Sequence, residues 1–197
     1  MTCVAGYTDG REMILMGDSS LTWGDCCVVV GSEPKVWTAG GWGPHPQVVM
    51  GGCGTPRLLQ VLRYQTEPLA FKDNYEKQEP MKALVRGVEH VREVFLRLGV
   101  SRKEDDEPKL PKGTGIILGL GGRWYEIDGP WSISAHALPF AAVGCGSSEA
   151  LPAIRALCRT PTPPDPYTML WTAMEVAAET NPHVKPPFVH VTAPVNA

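Results

Sequence analysis

The fold is decided by residues 1–20, which read MTCVAGYTDGREMILMGDSS. Two apolar runs in this stretch flank the pair Asp9-Gly10. Asp and Gly tolerate the positive φ angles of a tight turn between strands, so the pattern predicts a β-hairpin. Because a hairpin returns the chain towards its starting point, we expect Thr2, before the first strand, to lie close to Asp18, after the second.

Thr2 directly follows the initiator methionine. A small second residue favours removal of Met1, which would leave a threonine carrying both its hydroxyl and a free α-amine. That combination is a nucleophile with its own base. The alternative interpretation is that Thr2 is an ordinary edge-strand residue. If processing also removed Thr2, the nucleophile would instead be the thiol of Cys3.

Composition indicates an ordinary globular protein of 197 residues, 43% of them hydrophobic and 20% charged, and we expect one domain over residues 1–197. The net charge of −3 provides no electrostatic basis for binding nucleic acid or an anionic membrane. No apolar run approaches the roughly 20 residues that span a bilayer, and the N-terminus lacks the pattern of a signal peptide. We therefore expect a cytoplasmic protein.

Neither the cysteines nor the histidines are spaced like the ligands of a metal ion. The six cysteines contain no C-x-x-C pair, and without a secretory signal we expect them to be reduced thiols. They are Cys3, Cys26, Cys27, Cys53, Cys145 and Cys158. We accordingly expect neither a metal nor a cofactor.

Four segments are predicted to be helices, one of which follows Ser147-Ser148 and must start near Glu149 because it contains Pro152. Thr55-Pro56 is a typical helix start, with threonine as N-cap and proline in the first turn. Apolar residues recur every three or four positions over residues 84–98, which predicts a long amphipathic helix. Asp165-Pro166 is predicted to begin a further helix. The glycine- and proline-rich segment 40–46 and the charged segment 101–112 are predicted to be loops.

The predicted order is strands, two helices, strands, two helices and a final strand. Strands in two blocks, with helices grouped between them, favour two antiparallel sheets that pack face to face under outer helices. A four-layer sandwich of this kind is less common than two or three layers, so the pattern by itself does not select it.

Four features occur in order from the second residue onward. They are Thr2, the Gly17-Asp18 pair, Lys35 before an apolar strand, and two glycine-rich junctions between a strand and a helix, at residues 51–55 and 143–148. In order and spacing they resemble the proteasome β-subunit family of N-terminal nucleophile (Ntn) hydrolases. The likeness is to the simple bacterial and phage-type members that carry no long propeptide.

The resemblance implies an α+β fold, a four-layer αββα sandwich whose two antiparallel sheets lie between helical layers, with the active site at one end. Thr2 would be the nucleophile, and its α-amine would accept the hydroxyl proton. Lys35 would lie beneath Thr2 and lower the pKa of nearby groups through its charge, while Asp18 holds that lysine in place. The backbone N–H of Gly51 would face the developing oxyanion.

The resemblance also implies where a substrate binds. Thr22 matches the position that binds the substrate main chain in the manner of an added β-strand. Val49 and Cys53 would line the pocket beside the scissile bond. Both residues are small and apolar, which predicts a medium-sized apolar substrate side chain.

Three features depart from the family pattern. Cys145 stands where family members usually carry a serine close to the nucleophile, and a thiol is a weaker hydrogen-bond partner than a hydroxyl. Asn181 is the nearest match to an acidic residue in the loop after the last helix, and it cannot carry that charge. One extra residue separates Asp18 from Lys35.

The resemblance predicts a threonine peptidase that cleaves peptide bonds through an acyl-enzyme on Thr2. It implies a homo-oligomeric ring or helical assembly that acts on peptides or unfolded proteins, with an ATP-dependent unfoldase as a partner. Two alternatives stay open. One is a catalytically inactive structural or assembly subunit, which retention of Met1 would favour because a blocked amine is no base. The other is an amidase acting on a small molecule, which a deep polar pocket would favour over an open cleft.

Overall fold

The computed structural model describes residues 2–23, 27–31, 33–42, 45–66, 80–104 and 107–195. Within these ranges, thirteen strands and four helices follow one another in blocks. The strands are β1 (Cys3–Thr8), β2 (Glu12–Gly17), β3 (Ser20–Trp23), β4 (Cys27–Val30), β5 (Val36–Trp42), β6 (His45–Cys53), β7 (Arg102–Glu104), β8 (Glu107–Lys109), β9 (Gly115–Leu120), β10 (Arg123–Ile127), β11 (Ile133–Ala135), β12 (Phe140–Gly144) and β13 (Val189–Pro194). The helices are α1 (Pro56–Tyr64), α2 (Pro80–Arg97), α3 (Ser147–Leu157) and α4 (Pro166–Thr180).

The strands build two main antiparallel sheets. One has the order β12-β1-β2-β13 and the other the order β11-β10-β9-β6-β5. The predicted N-terminal hairpin is confirmed as β1-β2, with Tyr7 opposite Ile14 and Val4 opposite Gly17. Because β1 and β2 are the two central strands of the first sheet, the hairpin organises that sheet.

The two sheets pack face to face through a layer of fully buried side chains. Val4 and Leu15 enter this layer from the four-stranded sheet, and Val49 enters it from the five-stranded sheet. The Trp124 ring occupies the space beside Gly6, where a Cβ would lie 2.5 Å from the ring. A glycine at position 6 is therefore a packing requirement.

Helices cover the outer face of each sheet. Leu58 of α1 and Phe95 of α2 belong to the buried cluster on the five-stranded sheet, and Ile154 of α3 and Met174 of α4 to the cluster on the four-stranded sheet. These layers confirm the α+β, four-layer αββα sandwich. Within the ranges described, the structure contains no helix that is both long and apolar enough to cross a membrane.

The predicted helix starts are confirmed by their capping contacts. The Thr55 side chain accepts a hydrogen bond from the Leu58 N–H at 3.3 Å, and Pro56 opens α1. Asp165 accepts from the N–H groups of Tyr167 and Thr168, each at 3.1 Å. Side-chain acceptors satisfy N–H groups that have no partner inside the first turn of a helix.

Two predicted loops contain strands. In segment 40–46, β5 runs on to Trp42 and β6 starts at His45, and these two residues pair with each other. In segment 101–112, β7 and β8 form a short hairpin in which Arg102 pairs with Lys109. Residues 43–44 and 105–106 lie outside the described ranges.

Candidate active site

The N-terminal hairpin places Thr2 at one end of the sandwich. Cys3 and Asp18 face each other just beyond the Val4–Gly17 pair. The Cys3 N–H donates to Asp18 Oδ1 at 2.9 Å, and the Asp18 N–H donates to the Cys3 carbonyl at 3.1 Å. The Thr2 residue is only 2% exposed, so the start of the described chain is firmly held beside Asp18, as the sequence predicts.

Asp18 accepts hydrogen bonds from several residues at this end of the sandwich. The Lys35 ammonium donates to Asp18 Oδ1 at 2.8 Å, and the two side chains are 4% and 0% exposed, respectively. The second carboxylate oxygen, Oδ2, accepts from the Ser20 N–H at 3.0 Å and from the Ser20 hydroxyl. A buried carboxylate that accepts from this many donors is held in one orientation.

Ser20 was missed at the sequence level. The Ser20 hydroxyl also lies 2.5 Å from the His183 carbonyl oxygen. Asp18 Oδ2 and that carbonyl oxygen therefore share the single hydroxyl proton of Ser20. The signal was present in the segment Asp18-Ser19-Ser20, because an Asp side chain commonly accepts from the N–H two residues later. Ser20 thereby joins the Asp18 cluster to the loop after α4.

The turn between β12 and α3 closes over the Thr2 backbone. The Gly146 N–H donates to the Thr2 carbonyl at 3.3 Å, and Cys145 Sγ lies 3.5 Å from the same oxygen. Gly144 adopts a φ of +98°, and a Cβ at this position would overlap the Thr2 carbonyl oxygen and lie 2.8 Å from its carbon. The structure thus brings Cys145 next to Thr2 and requires glycine at position 144.

Asn181 braces this turn. Its Nδ2 donates to the Cys145 carbonyl at 3.1 Å, and its Oδ1 accepts from the His183 N–H at 3.1 Å. An amide can make both contacts because it is a donor and an acceptor at once, whereas a carboxylate would only accept. Asn181 therefore holds the loop after α4 against the turn that carries Cys145.

A cleft of about 570 Å³ opens between the ends of the two sheets. Thr2, Gly144 and Cys145 line it on one side, and Cys53 and Gly54 line it on the other. Cys53, one of the two residues expected in a substrate pocket, lines this cleft.

Val49 does not line the cleft, because it is fully buried between the sheets. Val49 and Cys53 lie on the same face of β6, since side chains alternate along a strand. Only Cys53, at the end of β6, reaches the mouth of the cleft.

The backbone of Gly51 is not available to a ligand in the cleft. The Gly52 N–H donates to the Lys35 carbonyl on the β5 side at 3.2 Å. Because N–H groups alternate sides along an antiparallel strand, the N–H of Gly51 points to β9, opposite Ile117. The glycine that lines the cleft is Gly54, which has a φ of +136° directly before the cap of α1.

The predicted main-chain binder Thr22 lies on β3, opposite Val28 of β4. The neighbouring residues Leu21 and Trp23 belong to the same strand. The Thr22 side chain lies outside the described part of the structure. Met1, whose removal the predicted chemistry needs, also lies outside it.

Two thiols near Thr2 are held neutral. Burial, followed by the negative charge of Asp18, raises the pKa of Cys3 far above its usual value. Burial likewise raises the pKa of Cys53. Because the thiolate is the reactive form of cysteine, neither side chain is arranged as a nucleophile. The threonine is the better candidate.

A four-layer αββα sandwich with a cleft beside the second residue of the chain is the architecture of the proteasome-like Ntn hydrolases. Solved structures of that class superpose on nearly the whole chain. HslV from Trypanosoma brucei has 19% sequence identity and a TM-score of 0.70, with 96% of this chain and 98% of that chain covered. BPH from Thiobacillus denitrificans, in complex with epoxomicin, has 13% identity and a TM-score of 0.76, with 99% and 100% covered.

A third similar structure is the helical assembly of the Anbu complex from Pseudomonas aeruginosa. It has 17% identity and a TM-score of 0.65, with 98% of this chain and 81% of that chain covered. No protein-family model matches the sequence, and no curated protein matches it. These similarities establish that the chain has the proteasome-like Ntn-hydrolase fold.

Proposed function

We propose that this protein is a threonine peptidase that hydrolyses peptide bonds through an acyl-enzyme on Thr2, after removal of Met1. The observation that carries the proposal is the shared use of Asp18 Oδ1. The Cys3 N–H and the Lys35 ammonium both donate to that oxygen, at 2.9 and 2.8 Å. One buried carboxylate therefore positions both Cys3, the residue after the nucleophile, and the ammonium group of Lys35.

The reaction uses the α-amine of Thr2 as its base. Thr2 Oγ bonds to the substrate carbonyl carbon while its proton passes to the amine. Collapse of the tetrahedral intermediate breaks the C–N bond, and the α-ammonium protonates the departing amine. Water then adds to the ester, gives a proton to the α-amine, and releases the acid and the Thr2 hydroxyl. Lys35, held by Asp18, supplies positive charge that stabilises the developing anions.

The oxyanion donor in this proposal is the backbone N–H of Gly54. Gly51, the residue expected from the sequence, uses its N–H in the ladder with β9. Gly54 lines the same cleft as Thr2 and stands at the start of α1, where the helix dipole favours negative charge. Loss of one oxyanion donor typically costs about 2.7–4 kcal/mol of transition-state stabilisation.

Substrate and assembly complete the proposal. The cleft opens between the ends of the two sheets, a shape that suits an extended chain, and we assign it to peptides or unfolded proteins. In this assignment Cys53 lies in the wall of the substrate pocket and Thr22 lies beside the substrate backbone. The Anbu complex of Pseudomonas aeruginosa forms a helical assembly, and we propose a homo-oligomeric ring or helix for this protein. An ATP-dependent unfoldase would deliver folded substrates in the cytoplasm.

The test is an intact mass measured before and after incubation with epoxomicin, the compound bound to BPH. We expect loss of one methionine followed by a single adduct, absent from the Thr2→Ala variant. A protein that keeps Met1 and never reacts would instead be the inactive structural subunit. A protein that forms the adduct and turns over small amides, but leaves unfolded casein intact, would be the amidase.

Cys145→Ser is expected to increase the rate of peptide cleavage by about fivefold, the effect of roughly 1 kcal/mol from a stronger hydrogen bond. The Cys145 thiol now lies 3.5 Å from the Thr2 carbonyl, and a hydroxyl donates more strongly than a thiol. The measurement is kcat/KM for a fluorogenic peptide. Cys145→Ala is the control, and a serine variant no faster than the alanine variant would refute the expectation.

A further inference from the structure

The wall of the cleft across from Thr2 carries a carboxylate, Glu126. Side chains alternate along β10, so Glu126 shares a face with Trp124, which is buried between the sheets. Tyr125 and Ile127 belong instead to the buried cluster that includes α1 and α2. Glu126 thus lies at the cleft end of the space between the two sheets, and it lines the same cleft as Thr2 and Cys145.

Glu126 is half-buried and only loosely paired. Its side chain is 34% exposed, and its carboxylate lies 3.5 Å from His136 Nε2, a pair that is ionic only when the histidine is protonated. Gly115 and Val143, which line the same cleft, carry no charge. A carboxylate in such a setting interacts more strongly with an entering cation than one in bulk water.

The negative charge of Glu126 acts on Cys53, which lines the cleft together with Thr2. Burial raises the pKa of the Cys53 thiol, and the negative charge of Glu126 raises it further. Cys53 lines the cleft together with Thr2. A substrate group that neutralises Glu126 would therefore be bound close to the scissile bond.

One opposite charge also borders the cleft, on Lys112. Lys112 is exposed and lies in the turn before β9, whereas Glu126 is half-buried on β10, a strand that is paired on both sides, with β11 and β9. A partly desolvated charge contributes more to selection than an exposed one, which is screened by water and salt. The electrostatic preference of the cleft is therefore set by the carboxylate.

We propose that Glu126 is a specificity-determining residue and that it favours peptides carrying lysine or arginine beside the scissile bond. This inference rests on the proposed peptidase function. The basic side chain donates a charge-assisted hydrogen bond to the carboxylate, which is stronger than a bond between neutral groups. It adds a charged subsite to the small apolar pocket expected at Cys53.

The test measures binding, so that it does not depend on turnover. The full-length Thr2→Ala protein is titrated with two fluorescent peptides, one with lysine and one with norleucine at both residues that flank the central bond. We expect the lysine peptide to bind about tenfold more tightly, the size of one charge-assisted hydrogen bond. Equal binding, or no binding of either peptide, would overturn the proposal.

Three variants in the same background locate the effect. Glu126→Gln should abolish the preference, and Glu126→Lys should reverse it in favour of a peptide with glutamate at the same positions. Asp128→Asn removes the same charge from an exposed residue of the same segment that does not line the cleft, and it should leave the preference intact. A preference that survives both Glu126 variants refutes the assignment. Failure of the unmodified protein to react with epoxomicin would refute the peptidase function alone. The ratio of the affinities for the two peptides would stand, because it is measured without turnover.

Discussion

Asp18→Ala is expected to abolish peptide cleavage and to lower the free energy of unfolding by about 3–5 kcal/mol, the usual cost of removing one partner of a buried ion pair. The Lys35 side chain is 4% exposed, so its ammonium would be left without a counter-charge in a poorly solvated site. The N–H groups of Cys3 and Ser20 would lose their acceptor at the same time. Urea unfolding gives the stability, and hydrolysis of a fluorogenic peptide gives the activity.

A double-mutant cycle separates the two roles of this pair. Lys35→Met removes the positive charge but keeps much of the side-chain volume. It should lower the rate of peptide cleavage by at least about a hundredfold. The double variant Asp18→Ala with Lys35→Met should regain part of the lost stability, because no isolated charge stays buried. It should regain no activity. Unchanged rates in both single variants would exclude the proposed site.

Gly144→Ala is expected to abolish reaction with epoxomicin and to destabilise the fold strongly. The new Cβ would overlap the Thr2 carbonyl oxygen, so Thr2 or the turn before α3 must move. The φ of +98° adds strain of about 1–3 kcal/mol for any residue with a side chain. The measurements are the urea unfolding midpoint and the rate of adduct formation.

Gly10→Ala is the matched control for this variant. Gly10 has a φ of +87°, similar to that of Gly144, but a Cβ there would meet nothing within 4 Å. It should therefore show the backbone strain without the displacement of Thr2, and it should react with epoxomicin at the normal rate. If both variants lost the same stability and both reacted, the close approach of Gly144 to Thr2 would not matter.

The part of the site predicted correctly from sequence is the part that local rules govern. The hairpin follows from Asp9-Gly10 and the apolar runs around it, and it alone sets Cys3 opposite Asp18. The proximity of Cys145 to Thr2, in contrast, was expected only from the likeness to a known family, because the two residues are far apart in the chain.

The corrections concern positions where neighbours in space decide the outcome. Gly51 looks like an oxyanion donor in the sequence, but pairing with β9 uses its N–H, and Gly54 takes its place in the cleft. Val49 looks like a pocket residue but is buried by the opposite sheet. No sequence pattern reports which strand lies on either side of β6.

By itself, then, the sequence determined the N-terminal hairpin, the capped starts of α1 and α4, and the residue types that suit threonine chemistry, since each depends on residues close together in the chain. Only the tertiary structure decided that two sheets meet across an open cleft, that Asp18 joins Cys3 to Lys35, and that Glu126 faces the cleft. Those arrangements depend on strand pairing and packing between distant segments, which are selected by the burial of the whole core and not by any local run of residues.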